Sequence, residues 1–266
     1  MEITMKGKVS ALFQRIGENR FLFSELVKRD FKKKYKRTYL GMLWSVLSPL
    51  LTLLVMSIVF TEFFGRNMEH YTIYLFCGNI VFSFFNEATN TGMSSLMDNA
   101  NIFSKINVPK YLFLFSKNVS SLINFGLTFS VFLIFCIIDR VTFTPAFLML
   151  FFPILCLILF NIGMGLILSA MFVFFRDVQY LWSVFTMLLM YMSAIFYTVD
   201  TFGENIQRLF LLNPLYVYIK YFRLIVLEGT IPSLQYHALA LGYALVAFII
   251  GALIYKTKNH KFLYYV

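Results

Sequence analysis

With 266 residues, 59% of them hydrophobic, 14% charged and a mean hydropathy of +0.74, this chain carries more apolar surface than a soluble domain of its length can enclose. The net charge of +10 would suit a nucleic-acid binder, but the basic residues lead directly into long apolar runs, which points to a membrane surface instead. Cys77, Cys136 and Cys156 all lie in apolar runs, are odd in number and lack metal-ligand spacing, so they read as core residues rather than a disulfide framework or a metal centre.

The first element is basic. Seven of the ten residues from Lys28 to Arg37 are Lys or Arg. On helical spacing Phe23, Val27, Phe31 and Tyr35 share one face, while Lys28, Arg29, Lys32, Lys33 and Lys36 fill the others, which predicts an interfacial amphipathic helix over 20–40. It can anchor to anionic lipid, at about 1 kcal/mol per basic residue, or touch a cytosolic partner, and spacing leaves both open. No cleavable signal is expected, because the first apolar run follows some forty polar and charged residues.

A bilayer core about 30 Å thick needs roughly 20 apolar residues per helix. Six runs qualify, at 43–62, 71–93, 118–138, 146–174, 179–199 and 236–255, so the expected fold is an all-α integral membrane protein with six transmembrane helices. Six spans put both termini on one side. Eighteen Lys and Arg fall on that side against Arg66, Arg140, Arg208, Lys220 and Arg223 on the other, which predicts cytoplasmic termini.

The second run carries a polar stripe of Asn79, Ser83, Asn86, Glu87, Asn90 and Ser94. Glu87 is the only carboxylate well inside a predicted span, and an ionisable group at that depth is a functional-site candidate. Hydrogen bonding between helices accounts for it equally well. The 98–109 segment predicts a short helix capped by Asp98 or Asn99 and stopped by Pro109. Arg176-Asp177, between the fourth and fifth runs, suits the two helix dipoles it separates, and capping is sufficient to account for it. Gly163-x-Gly165-x-x-x-Ser169 offers small residues for close helix approach. In 200–235, Arg208, Lys220 and Arg223 alternate with Phe202, Phe210, Tyr216, Tyr218, Tyr221 and Phe222, an unusual composition for a solvated loop.

There is no Gly-x-x-x-x-Gly-Lys-Ser/Thr loop, and Gly7-Lys8 is followed by Val9. His70, His237 and His260 are isolated, and no nucleophile and base stand together. The chain is therefore expected to be no enzyme and to hold no cofactor, so driven transport needs another subunit or an ion gradient.

Four segments, in order, carry a resemblance: Leu26-Val-Lys-Arg-Asp30 through Tyr35-Lys-Arg-Thr-Tyr-Leu-Gly-Met-Leu-Trp-Ser-Val-Leu-Ser-Pro-Leu50, Asn99-Ala-Asn-Ile-Phe-Ser-Lys-Ile-Asn-Val-Pro109, Phe174-Phe-Arg-Asp177 and Leu212-Asn-Pro-Leu215. Together they resemble type-2 ABC exporter permeases that move polysaccharides, O-antigens and teichoic acids, over about 20–260. Lys32-Lys33-Lys34 makes the entry segment more basic than the usual pattern.

The resemblance implies a permease homodimer with two copies of a cytosolic ABC ATPase, which would hold the ATP and Mg, in a bacterial cytoplasmic membrane and without nucleic acid. It implies an interface helix carrying Lys28, Arg29, Asp30, Phe31, Tyr35 and Arg37. It also implies a coupling helix with Asn99, Lys105 and Pro109, whose Ile102, Phe103 and Ile106 enter the ATPase, and places Arg176 and Asp177 near the same subunit. Residues 201–230 would form re-entrant exit-side helices, with Arg208, Tyr216, Lys220 and Arg223 open to an anionic substrate. Asn79, Asn86, Glu87 and Asn90 would border the pathway of a lipid-linked glycan or polyol-phosphate polymer. Two alternatives stay open: a permease for a drug or lipid, and a membrane enzyme using Glu87 or Asp139 on lipid-linked sugars.

Overall fold

The computed structural model describes residues 19–36, 38–61, 63, 68–106 and 108–265. Its regular elements are helices: α1 Arg20–Tyr35, α2 Trp44–Phe60, α3 Tyr71–Asp98, α4 Ala100–Phe103, α5 Tyr111–Ile138, α6 Phe151–Phe174, α7 Val178–Met192, α8 Glu204–Phe210, α9 Pro214–Val226, α10 Leu234–Lys258 and α11 Phe262–Tyr265. Short 3₁₀ turns, Gly41–Leu43 and Pro145–Leu150, lead into α2 and α6. Pro49 lies inside α2, but two other prolines sit where they cost little. Pro153 and Pro214 occupy first turns, where the missing N–H has no partner within the helix. Asn213 accepts from the Leu215 N–H at 3.0 Å, an N-cap that starts α9.

Among the described residues four helical stretches are long and apolar enough to cross a membrane: Gly41–Phe60, Tyr111–Ile138, Pro145–Phe174 and Leu234–Lys258. The α8–α9 pair makes a fifth if counted as one broken span, bent by 105°. This is a multi-pass membrane protein. α3 is long enough, at 28 residues, but its stripe of Asn, Thr, Ser and Glu keeps it out of the apolar set.

The expected helix over 179–199 stops at Met192. Ala194 takes a left-handed φ of 52°, and the chain leaves the helix. Tertiary hydrogen bonds hold the exit: the carbonyls of residues 194 to 197 all accept from side chains on α3 or α9, which gives the non-helical backbone the partners that a further helical turn would have supplied.

α6 stands at the centre, packed against α10 on one side and α3 on the other. A Cβ built on Gly163 would lie 2.4 Å from the Phe248 backbone nitrogen, and one on Gly251 2.6 Å from the Gly163 carbonyl oxygen, so α6 and α10 touch main chain to main chain. Gly165 faces the other way, where an added Cβ would meet the Leu114 side chain at 2.9 Å. By contrast, α2 buries just Ser45 and Leu53.

Among the described residues two main apolar clusters result, beside a small one of Ala194, Val199 and Tyr216. The larger fills the bundle from α3 to α10 and includes Phe76, Phe85, Phe132, Leu157, Tyr218 and Phe222. The second lies at the end that carries α1, the α3–α5 link and the tail, and joins Leu26, Leu96, Phe103, Phe113, Val173 and Phe262. We call this the basic end, and the end carrying α8 and α9 the far end.

Candidate functional site

α1 packs on α5. The expected stripe of Phe23, Val27 and Phe31 is only half-buried; Leu26 and Asp30 make the deepest contact. The reason is the partner surface: Leu26 joins the apolar cluster, and Asp30 finds donors on α5 and the chain beside it. The side chain of Tyr35 and all of Arg37 lie outside the described residues.

The Asp30 carboxylate is 3% exposed and is the hub of a polar joint. It accepts from Arg29 at 2.7 Å and from the Ser116 hydroxyl at 3.2 Å, and pairs with Lys117 at 3.6 Å. Lys117 also reaches Asp98 at 3.1 Å. Arg29 donates to the Asn99 side-chain carbonyl at 2.7 Å, while the Asn99 amide donates to the Ser95 carbonyl at 2.7 Å. Thus the surface helix, the end of α3 and the start of α5 meet at one buried carboxylate, its charge balanced by two cations as burial requires. Ser116 and Lys117 were not expected from sequence. The one available signal was a lysine and a serine at the foot of an apolar helix.

The linking segment differs in detail from its expectation. α4 is four residues long, and neither Asp98 nor Asn99 caps it through a side chain, because Asn99 turns back to α3 and Asp98 to Lys117 and Ser94. Phe103 is buried against Phe113, so it faces the chain's own core rather than outward. Ile106 is 56% exposed and Lys105 is exposed, which leaves these two available to a partner, with Ile102 half-buried. Past Pro109, Lys110 donates to the Asn259 carbonyl at 2.5 Å and sits over the Phe103 and Phe262 rings, fastening the link to the tail; burial pushes its ammonium pKa down. Arg176 and Asp177 are exposed at the same end. Asp177 makes no capping side-chain bond, so only its place before α7 serves the dipole.

Within the bundle the polar stripe of α3 divides. Asn79, Ser83 and Glu87 line a cavity of about 430 Å3 with residues of α1, α2 and α5. Asn86 and Asn90 bond to each other instead, the Asn90 amide donating to the Asn86 side-chain oxygen at 2.7 Å. Glu87 accepts from Asn124 of α5 at 2.6 Å and pairs with Lys34 of α1 at 2.9 Å. Its expected interhelical bond and a link to the surface helix are therefore both present. Asp139, the other carboxylate considered for catalysis, pairs with His70 at 2.9 Å beside the start of α3, about 25 Å along that helix from Glu87. The two cannot act as an acid–base pair.

At the far end, Arg223 is corrected most. Expected to face an anionic substrate, it is 4% exposed, stacks on the Tyr74 ring at 3.4 Å, and donates to the carbonyls of Ala194 and Ile195, each at 2.9 Å, and of Tyr74. Tyr71 and Tyr74 donate to the Phe196 and Tyr197 carbonyls at 2.7 and 2.5 Å. Tyr216 is likewise buried, against Phe210. Lys220 pairs with Asp200 at 3.3 Å, and Arg208 lies at the surface near Glu204.

The membrane bundle thus carries a polar joint at one end and a broken helix pair with side-chain-capped backbone at the other. Residues 22–227 match the family described as "ABC-2 type transporter", and the chain belongs to that family. It is similar to the O-antigen export system permease protein RfbA of Klebsiella pneumoniae, 25% identical over 98% of each chain. It is also similar to the protein of the same name from Myxococcus xanthus, 25% identical over 94% of this chain and 97% of that one. The polysialic acid transport protein KpsM of Escherichia coli is 25% identical over 88% and 92%.

Proposed function

We propose that the chain is the transmembrane half of an ATP-driven exporter that carries a lipid-linked cell-envelope polysaccharide outward across the bacterial cytoplasmic membrane. Two copies would work with two copies of a separate cytosolic ATPase, which supplies ATP and Mg. The observation that carries this reading is the joint at Asp30. Through it, a push on α1 or on the α3–α5 link reaches α5 directly, and through Lys34 it reaches Glu87 in the interior. A subunit docked on Ile106 and Lys105 from the cytosol has such a lever in hand.

The excess of Lys and Arg makes the basic end cytosolic, with both termini there. α3, about 42 Å long, and α7 with its capped exit complete six passes. α8 and α9 then re-enter from the outer face. Relatives named for O-antigen export and polysialic acid transport, matched along nearly their whole length, favour a polysaccharide as cargo.

Deleting the chain in its own cell is the test. Lipid-linked polymer should accumulate on the cytoplasmic side, and the tagged chain should bring down an ATPase subunit. Undiminished surface polymer in the deletion strain would overturn the reading.

A further inference from the structure

We infer that the cavity beside Glu87 binds an uncharged, hydroxyl-rich sugar residue of the exported chain, with the Glu87 carboxylate as its principal hydrogen-bond acceptor. The inference rests on the polysaccharide reading above and narrows it: the cavity favours neutral sugar over the phosphate or carboxylate groups that a polyol-phosphate or acidic polymer would present.

Three observations carry it. The first is charge. Among the described residues that line the cavity, the charged ones are Lys34 and Glu87, and they face each other at 2.9 Å. The pair neutralises itself, so among the described residues an anion entering the cavity would meet no uncommitted cation and would lie beside a carboxylate.

The second is hydrogen-bond polarity. Ser45, Thr52 and Thr128 each donate to a backbone carbonyl of their own chain segment, at 2.6, 2.9 and 3.0 Å. With their protons committed there, these hydroxyls offer lone pairs to a ligand. Set around a carboxylate and beside the Asn79 amide, a donor, these acceptors suit a ligand whose groups both donate and accept, as hydroxyls do. Phosphate and carboxylate groups only accept.

The third is shape. About 430 Å3 falls in the usual range for ligand pockets, and Trp44, Phe84 and Phe125 provide apolar faces beside the polar ones. Lys34 closes the site from α1, the helix that the joint ties to the α3–α5 link, so a displacement of α1 would release Glu87 and change what the cavity holds.

Trp44 reports on the site directly. The chain has two tryptophans, and Trp182→Phe leaves Trp44 as its sole indole. In this background the full chain, reconstituted in liposomes, is titrated with mannotriose, with trimeric sialic acid and with trimeric glycerol phosphate while Trp44 emission is followed. Mannotriose should give a saturable change, and the two anionic trimers should bind at least about tenfold more weakly. Glu87→Gln should weaken mannotriose about tenfold and strengthen the anionic trimers, because Lys34 loses its carboxylate. Thr128→Val, a mild change that keeps the side-chain shape, should weaken mannotriose a few-fold without altering the order of preference. Anionic trimers binding as tightly as mannotriose, mannotriose affinity unchanged in Glu87→Gln and Thr128→Val, or no saturable response to mannotriose would each overturn the inference. Surface polymer in the deletion strain, scored separately, tells its failure from failure of the export reading: lost polymer with no mannotriose binding sinks the cavity alone.

Discussion

The two ends of the bundle solve the same electrostatic problem in opposite ways. At the basic end a carboxylate with 3% exposure is balanced by Arg29 and Lys117, and Arg29 remains 40% exposed. At the far end a guanidinium is balanced by backbone carbonyls and a tyrosine ring, with almost no exposure. Arg29, the part-exposed partner, can exchange its contacts with solvent, so the outer edge of the joint can shift at small cost. Carbonyls fixed in a capped backbone cannot. The basic end is therefore built to yield under load and the far end to hold its shape.

Breaking the rigid end should cost most. Arg223→Met strands the Ile195 carbonyl and leaves that of Ala194 with only a 3.5 Å contact from the Tyr74 hydroxyl, and a loss of about 3–5 kcal/mol is expected, read as low abundance and a lowered melting midpoint in detergent. Arg223→Lys should recover only part of this, since an ammonium lacks the planar fork that reaches several carbonyls. An unchanged midpoint in Arg223→Met would remove the contrast between the ends.

Phe103→Ala comes next, at about 3 kcal/mol, because its ring packs against Phe113 and under Lys110. If this variant keeps wild-type stability but loses ATPase binding, Phe103 faces outward and the account of the link is wrong. Asp30→Asn should destabilise by only about 1–3 kcal/mol, yet ATP hydrolysis by the assembled complex should continue while export falls at least tenfold. Export and hydrolysis falling in proportion would mean that the joint merely supports the fold.

The smallest effect on stability, within about 0.5 kcal/mol, is expected for the exposed Ile106→Asp. Co-purification of the ATPase should nevertheless weaken. Full assembly with Ile106→Asp would move the docking surface elsewhere on the basic end.

How much of this was legible in the sequence depends on the range of the contact involved. The apolar runs behind α2, α5, α6 and α10 announce themselves through local composition, and the Gly163 and Gly165 spacing signalled close helix approach, though not that the two glycines face different helices. The early stop of α7 was hidden because Ala194-Ile195-Phe196 is as apolar as the helix before it, and its partner Tyr71 lies 125 residues from Phe196. Arg223 misled for a related reason: a cation among aromatics reads as an interfacial residue until the carbonyls that need it are placed. The α3 stripe was visible as a stripe, but its division between a cavity and an internal Asn86–Asn90 bond depends on how α2 and α5 lie beside it. Lys34 looked like one more surface lysine, and only the position of α1 shows that it reaches Glu87.

The contact between α6 and α10 sets a boundary condition on motion. Where Gly163 and Gly251 meet there are no side chains to change rotamer, and main-chain atoms already stand at their closest approach, so the seam can neither tighten nor slide without opening a gap that nothing nearby would fill. It serves as the fixed datum of the subunit. Displacement during transport must then be taken up on the other side of the bundle, by α1 and by α2, whose shallow seating leaves it the helix with least to lose by moving.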